Sequence, residues 1–338
     1  MSKIKVALVG FGNAGIYLIN GIYNLKANLW HKTVGGLTNK DIEVVGAFDI
    51  DSKKVGKTVK NIAGVGPDIE ILPSLSFNEE VGREIAGKIK ISKAESSEVE
   101  KQIKRMSPDI ILNLMSSGQD RATTEIAKIS SSIGCSFINA TPTLLINQLN
   151  LISAFKNSKS IIAGDDLQSQ IGGTWLHRVM LMAFKKWGTS IIKSYQLDVG
   201  GSLETLNTLD ERIRGKKKEV KGKAVAGEDL RSTVVAGTTD YIPFLEDWRV
   251  SHFYMEINGP LNEKFTIDAE YKTRDGPNAL NVMLDVVRAV AYERSQGIYG
   301  TVKAINSYGF KSHSEDIDIF SSLEVFERKY VNESRSQA

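Results

Sequence analysis

Residues 6–22, VALVGFGNAGIYLINGI, set a strand-like apolar run directly before a glycine-crowded turn and an amphipathic helix. No other stretch of the chain constrains the fold as much. Glycine at Gly10 and Gly12 lets a backbone turn tightly and approach a pyrophosphate, which then rests on the free amides of the helix that starts near Asn13. The spacing is close to GxGxxG, with the last glycine, Gly15, early. An ordinary strand-to-helix turn, packed through its glycines, is the plainer alternative.

A second element favours the nucleotide reading. The stretch DIEVVGAFDID (41–51) has the composition of a buried strand ending at Asp49. A carboxylate there accepts both ribose hydroxyls of an adenosine and opposes a 2′-phosphate, so NAD is expected over NADP. Asp49 lies beyond the usual separation of about 20 residues. Residues 24–40 account for the excess as a loop inserted after the first helix.

From residue 4 to about 165 strand-like and helical patterns alternate, as a doubly wound sheet requires. PDIILNLMSS (108–117) and CSFINATPT (135–143) are apolar runs ending in small polar residues. Ligands in such sheets lie beyond the carboxyl ends of the strands, which places Ser116, Ser117, Asn139 and Thr141 near a cofactor. The segment 159–188 then gives a short strand, an acidic turn at Asp165 and Asp166, and a long helix ending at Gly188. The first amides of that helix offer an anion site beside Ser169 and Gln170, whereas helix capping is the simpler use of the two aspartates. Farther on, Lys216, Lys217, Lys218, Lys221 and Lys223 form a dense group between strands of a second region. Such a run is ordinarily solvated, yet in this place a cationic loop could close over a phosphorylated substrate. A helix started by Pro277 and closed by Gly297 follows, and the polar FERKYVNESRSQA is expected to fray.

A chain of 338 residues exceeds the size, about 250–300 residues, at which single cores stop growing, so two domains are expected. With 43 basic and 40 acidic residues the net charge of +3 gives no reason to expect nucleic acid or a membrane surface as partner. The one cysteine, Cys135, excludes an intrachain disulfide framework and reads as a small buried residue. MSKIK leads straight into a strand without a signal-peptide pattern, and no apolar run is long enough to span a bilayer. The expectation is a soluble, cytoplasmic protein.

GFGNAG, FDIDSKKVGK, AGDDLQSQIGGTWLHR, DVGGSLETLNTLDER, KKKEVKGKAV, RDGPNALNVMLDVVRA and INSYGFKS, in this order, resemble successive blocks of the myo-inositol-1-phosphate synthase family in its shorter prokaryotic form. The resemblance covers nearly the whole chain. It implies an α/β fold: a Rossmann-type NAD-binding domain, residues 1–165 plus 276–338, with an inserted α+β catalytic and oligomerisation domain, residues 166–275. It also implies a homotetramer assembled through the sheet of the inserted domain.

The implied activity is an NAD-dependent isomerisation of glucose 6-phosphate to inositol 1-phosphate. C5 is oxidised, a C6 proton leaves, C6 attacks the C1 aldehyde, and C5 is reduced again. Such chemistry calls for cations at two developing oxyanions and for an anchored phosphate. By resemblance Lys217 and Lys311 serve oxyanion stabilisation and proton transfer, with Asp166 and Asp275 orienting them. Lys221, Ser169, Gln170 and Arg249 would hold the sugar phosphate. Gly10, Gly12, Asn13, Ala14, Asp49, Ser116, Ser117, Thr141 and Asp165 would hold NAD. No metal ligands are assigned, and the resemblance leaves open a need for a divalent or monovalent cation.

Three positions depart from the family pattern. Gln168 stands where a lysine is usual, Ser202 replaces an amide residue, and Arg249 matches an active-site lysine. Arginine binds phosphate in bidentate fashion but does not give up a proton in proteins. These changes leave room for a related NAD enzyme acting on another sugar phosphate, or for a catalytically silent NAD-binding sensor. Retention of Lys217, Lys221, Lys311, Asp166 and Asp275 together speaks against the sensor.

Overall fold

The computed structural model describes residues 3–24, 27–226, 234–312 and 317–331, without the side chains of residues 216, 220, 221, 223, 224 and 226. Its first half alternates β1 (Ile4–Val9), α1 (Asn13–Tyr23), β2 (Ile42–Asp49), α2 (Val59–Ala63), β3 (Ile71–Leu75), α3 (Arg83–Ala86), β4 (Lys93–Ala94), α4 (Ser96–Met106), β5 (Ile110–Asn113), α5 (Asp120–Ser132), β6 (Ser136–Asn139), α6 (Leu149–Asn157) and β7 (Ile162–Ala163). The strands form one sheet in the order β4-β3-β2-β1-β5-β6-β7, with every pairing parallel.

Alternation along β1 shows why both faces are covered. Val6 and Leu8 pack with Leu18 and Ile19 of α1, whereas Ala7 and Val9 pack with Val99 and Ile103 of α4 and Ile126 of α5. A strand that buries both faces reads as a continuous apolar run, as IKVALV does. The strand order reverses at β1, between β2 and β5, and this is where a doubly wound sheet opens a crevice for a ligand.

The chain then builds a second sheet from α7 (Gly173–Lys186), β8 (Ser190–Gly200), α8 (Leu203–Asn207), α9 (Glu211–Ala226), β9 (Val234–Tyr241), β10 (Trp248–Asn258) and β11 (Lys264–Arg274), in the strand order β11-β10-β8-β9. Leu181 of α7 and Val225 of α9 cover one face, against Ile191, Val234, Ala236, Met255 and Ile257. Strand alternation turns Tyr195, Leu197 and Val199, with Val250 and Tyr254 beside them in register, to the opposite face. There Tyr195 and Tyr254 stack at 5.4 Å.

Helices α10 (Asp275–Ser295), α11 (Lys303–Gly309) and α12 (Ile319–Tyr330) return to the first sheet, where Val282, Val286, Ile305, Tyr308 and Phe326 join the core under β1. The expected fraying of FERKYVNESRSQA is therefore corrected for its first part. Phe326 and Tyr330 are buried one helical turn apart, which anchors α12, and residues 332–338 lie outside the described residues.

The inserted stretch after α1 is also fixed; its residues 25 and 26 lie outside the described residues. His31 is buried, with Nδ1 2.6 Å from Asp285 Oδ2 and Nε2 3.3 Å from Glu327 Oε1. Arg288, wholly buried, binds Asp285 at 2.6 Å and donates to the carbonyls of His31, Lys32 and Leu37. Burial alone would lower the His31 pKa, but the two carboxylates outweigh it and hold it above its ordinary value. Among the described residues no helix is long and apolar enough to cross a membrane.

Candidate active site

A cavity of about 470 Å³ runs from the carboxyl ends of β1, β2, β5 and β6 to the second sheet. At its first end lies the glycine turn. Gly10 has φ +92°, and a Cβ there would lie 2.6 Å from the backbone of Leu114 and Met115, so no other residue fits. Gly12 differs, because a Cβ on it would meet nothing within 4 Å and would project into the cavity. Gly12 is also the N-cap of α1, and no side chain caps that helix. Asn13 and Ala14 line the cavity beside it. Open space against uncapped amides is what an anionic pyrophosphate needs.

Asp49, the last residue of β2, lines the same end and is buried. Its Oδ1 accepts the Asp51 amide at 2.8 Å, and Lys54 Nζ lies 2.9 Å from its Oδ2. Ser116, Ser117 and Thr141 line the cavity farther along. Ser117 is already engaged: its hydroxyl donates to Glu204 Oε1 at 2.6 Å.

The second end holds Lys311, Lys217 and Arg249, each set against a carboxylate. Lys311 Nζ is 2.8 Å from Asp166 Oδ1. The segments carrying them pair as antiparallel backbone: the Lys311 amide donates to the Asp166 carbonyl at 2.8 Å, and Leu167 bridges Phe310. Lys217, on α9, is 2.5 Å from Glu204 Oε1. Burial opposes ionisation of Glu204, but the Lys217 charge and hydrogen bonds from Lys217 and Ser117 prevail, leaving its pKa below the usual carboxylate value. Arg249 lies between Asp275, at 2.6 Å, and the fully buried Asp198, at 3.6 Å. Burial works against its charge, and Asp275, Asp198 and Glu204 more than restore it, so its pKa is raised.

Several expectations need correction. Asp166 and Asp275 do not jointly orient the two lysines. Asp166 holds Lys311, Asp275 holds Arg249, and Glu204 holds Lys217; Arg249 pairs in register with Thr273, and Asp275 follows two residues later as the first residue of α10. Asp165 does not line the cavity. It is wholly buried, with its carboxylate accepting from Asn139 at 2.7 Å and from the amides of Leu145 and Ile146 at 2.6 and 3.1 Å. Burial pushes its pKa up to about 7 against those three donors. Neither aspartate caps α7, whose N-cap is Gly172.

Gln170 is likewise buried away from the cavity, as is Gln168, which binds Arg178. Side chains along an extended segment alternate, so Ser169 faces the cavity while its two neighbours face away. Gln168 therefore contributes nothing to the cavity lining. The lysine run is not a loop but part of the 16-residue helix α9. Lys217 and Lys218 line the cavity. Lys221 follows Lys217 by about one turn of that helix, and its side chain, like those of Lys216 and Lys223, lies outside the described ones.

Sequence reasoning missed Glu204, Lys54 and the Tyr17–Asp247 pair, joined at 2.5 Å, all lining the cavity. Only Tyr17 carried a signal, being a little over one helical turn beyond Gly12 and so on the helix end that faces the ligand.

A parallel doubly wound sheet with an open glycine turn at its switch point, facing carboxylate-paired cations, defines a dinucleotide-fold enzyme with a composite site. A family model described as myo-inositol-1-phosphate synthase matches residues 172–276. The inositol-3-phosphate synthase of Mycolicibacterium smegmatis is 31% identical over 340 residues, covering 92% of this chain and 93% of that protein. The inositol-3-phosphate synthase of Mycobacterium tuberculosis is 30% identical over 342 residues, covering 94% of this chain and 92% of that one. Among solved structures, a myo-inositol-1-phosphate synthase-related protein from Thermotoga maritima superposes with a TM-score of 0.83 at 18% identity, covering 96% of this chain and 98% of that one. The chain belongs to the myo-inositol-1-phosphate synthase family, whose members are isomerase-type enzymes.

Proposed function

We propose that this protein is an NAD-dependent isomerase that converts glucose 6-phosphate to inositol 1-phosphate (1D-myo-inositol 3-phosphate) with no net redox change. The observation that carries the reading is that one cavity is lined both by the glycine turn with Asp49 and by Lys217 and Lys311. Bound NAD supplies the oxidation of the sugar at C5 and its later reduction.

The chain's own residues do the rest. Gly12, Asn13 and Ala14 offer space and amides to the pyrophosphate, and Asp49 accepts the ribose hydroxyls. Lys217 and Lys311, held by Glu204 and Asp166, stabilise the enolate and aldol oxyanions and move the proton at the C5 oxygen. Such fixed cations need little reorganisation as charge develops. Lys221, Ser169 and Arg249 anchor the phosphate.

In this reading four copies assemble through the second sheet, on the face carrying Tyr195, Leu197, Val199, Val250 and Tyr254. The stacked Tyr195 and Tyr254 and the paired Val199 and Val250 form an apolar strip on that face, bordered by the ionisable His252, Glu256 and Glu270, and the strip supports that assembly. The enzyme works in the cytoplasm, where its single cysteine stays reduced. Incubation of the purified protein with NAD and glucose 6-phosphate, followed by phosphorus NMR, tests the reading through the appearance of inositol phosphate.

One observation favours a second reading, a related enzyme for another sugar phosphate. Arg249 carries a fixed charge between Asp275 and Asp198 and is unable to exchange a proton. Conversion of a different hexose or pentose phosphate in the same assay, with glucose 6-phosphate inert, would select it.

A further inference from the structure

The structure assigns coenzyme choice to the pair Asp49–Lys54 and not to Asp49 alone: Asp49 admits the free ribose, and Lys54 is a latent cation for a 2′-phosphate. The inference rests on the reading that the cavity holds a nicotinamide dinucleotide. Lys54 lines the cavity with its side chain only 22% exposed. Its Nζ bonds Asp49 Oδ2 at 2.9 Å and the carbonyl of Phe11, within the glycine turn, at 3.0 Å. The ammonium therefore stands between the two places where the ribose and the pyrophosphate of a dinucleotide come together.

The charges at this end decide what it accepts. Asp51, also buried and lining the cavity, adds a second carboxylate, whose Oδ1 accepts the Lys53 amide at 2.9 Å. Two carboxylates against one ammonium repel a dianionic 2′-phosphate, and among the described residues Asp49 occupies the cavity-lining cation at this end that could receive it. Neutralising Asp49 changes both terms at once, because it removes a repulsive charge and frees Lys54. Lys53 and Lys57 are exposed and do not line the cavity, so neither substitutes for it.

A brace is the competing role for Lys54, since it also ties β2 to the glycine turn. The two roles separate by calorimetry of NAD and NADP binding to the native protein, Asp49→Asn, Lys54→Met and the double variant. Asparagine keeps an oxygen for the Asp51 amide, and thermal unfolding confirms that each variant is folded. Lys53→Met is the control and leaves both affinities unchanged.

Asp49→Asn is expected to weaken NAD about 10-fold and strengthen NADP about 10-fold, the size of one charged hydrogen bond. Adding Lys54→Met should cancel the NADP gain while moving NAD much less. On the native background Lys54→Met should weaken NADP more than NAD. If Lys54→Met lowers both affinities by the same factor in either background, Lys54 is a brace and the proposal is overturned. If the double variant binds NADP as well as Asp49→Asn does, the proposal is also overturned, while the dinucleotide reading stands. A native protein that binds neither coenzyme removes the reading and the proposal together.

Discussion

The ammonium of Lys311 lies 2.8 Å from Oδ1 of Asp166, although the two residues are 145 positions apart. The contact is set by the backbone ladder between the segments that carry them, with Asp165 and Ser312 exchanging amide-to-carbonyl bonds and Lys311 donating to Asp166. A lysine fixed this way points into the cavity before any substrate arrives.

Lys217→Met and Lys311→Met should each cost about 100- to 1000-fold in turnover, the usual loss for one preorganised donor. NAD affinity should hardly change, because each lysine acts on charge that develops on the substrate. Lys221→Met should raise the Michaelis constant first, as removal of an interaction shared by ground and transition states does. Steady-state kinetics with calorimetric NAD binding checks all three. Near-native turnover of the Lys217 and Lys311 variants would put those lysines outside the chemistry.

Glu204→Gln should reduce turnover while the protein still binds NAD, since Lys217 loses the carboxylate that aims it. The Glu204 pKa is depressed, so its ion pair with Lys217 is present above the ordinary carboxylate value and is lost only as pH falls through the lowered one. Native activity should accordingly not titrate with this group between about pH 5 and 8, which lies above the ordinary carboxylate range. A loss of activity in that window that Glu204→Gln abolishes would contradict the assignment.

Asp165→Asn should destabilise the fold by about 1–3 kcal/mol, because an amide nitrogen would face the donors of Leu145, Ile146 or Asn139 and leave one unsatisfied. Turnover should fall with it, since the Asp165 backbone pairs with Ser312, the neighbour of Lys311. Chemical denaturation measures the first effect. An unchanged midpoint would show that the buried carboxylate is not what holds the turn.

The raised pKa of His31 makes its cluster a stabilising element at low pH. The contribution is fully present below the ordinary value of 6.5 and is lost as pH rises through the higher, folded-state value. Melting temperatures of native protein and His31→Gln should converge as pH is raised above neutrality. A constant difference across that range would mean that His31 does not titrate on unfolding.

Much of the first sheet was legible in the sequence because parallel strands buried on both faces leave continuous apolar runs, and β2 ends at Asp49 as the run does. That Gly10, Gly12 and Asp49 meet at one end of a cavity was legible, because a glycine turn after one strand and an acid at the end of the next converge at the switch point of a doubly wound sheet. Pairings were not. Glu204 reads as an ordinary acid in the first turn of a short helix, and only the tertiary fold makes it the partner of Lys217, 13 positions away. Asp165 and Asp166 look equivalent in sequence, yet one is buried under three donors and the other faces the cavity. Gln168 looked like a lost active-site charge, and the alternation of an extended segment turns it away toward Arg178.

The central claim is that oxidation and reduction occur on one sugar within one cavity. Glucose 6-phosphate deuterated at C5, incubated with the protein and a limiting amount of NAD, tests it most directly. The account predicts inositol phosphate that retains the deuterium at the corresponding carbon, formed in excess over the coenzyme and with no net reduction of it. Reduced coenzyme accumulating with the label, without a cyclised product, would contradict it.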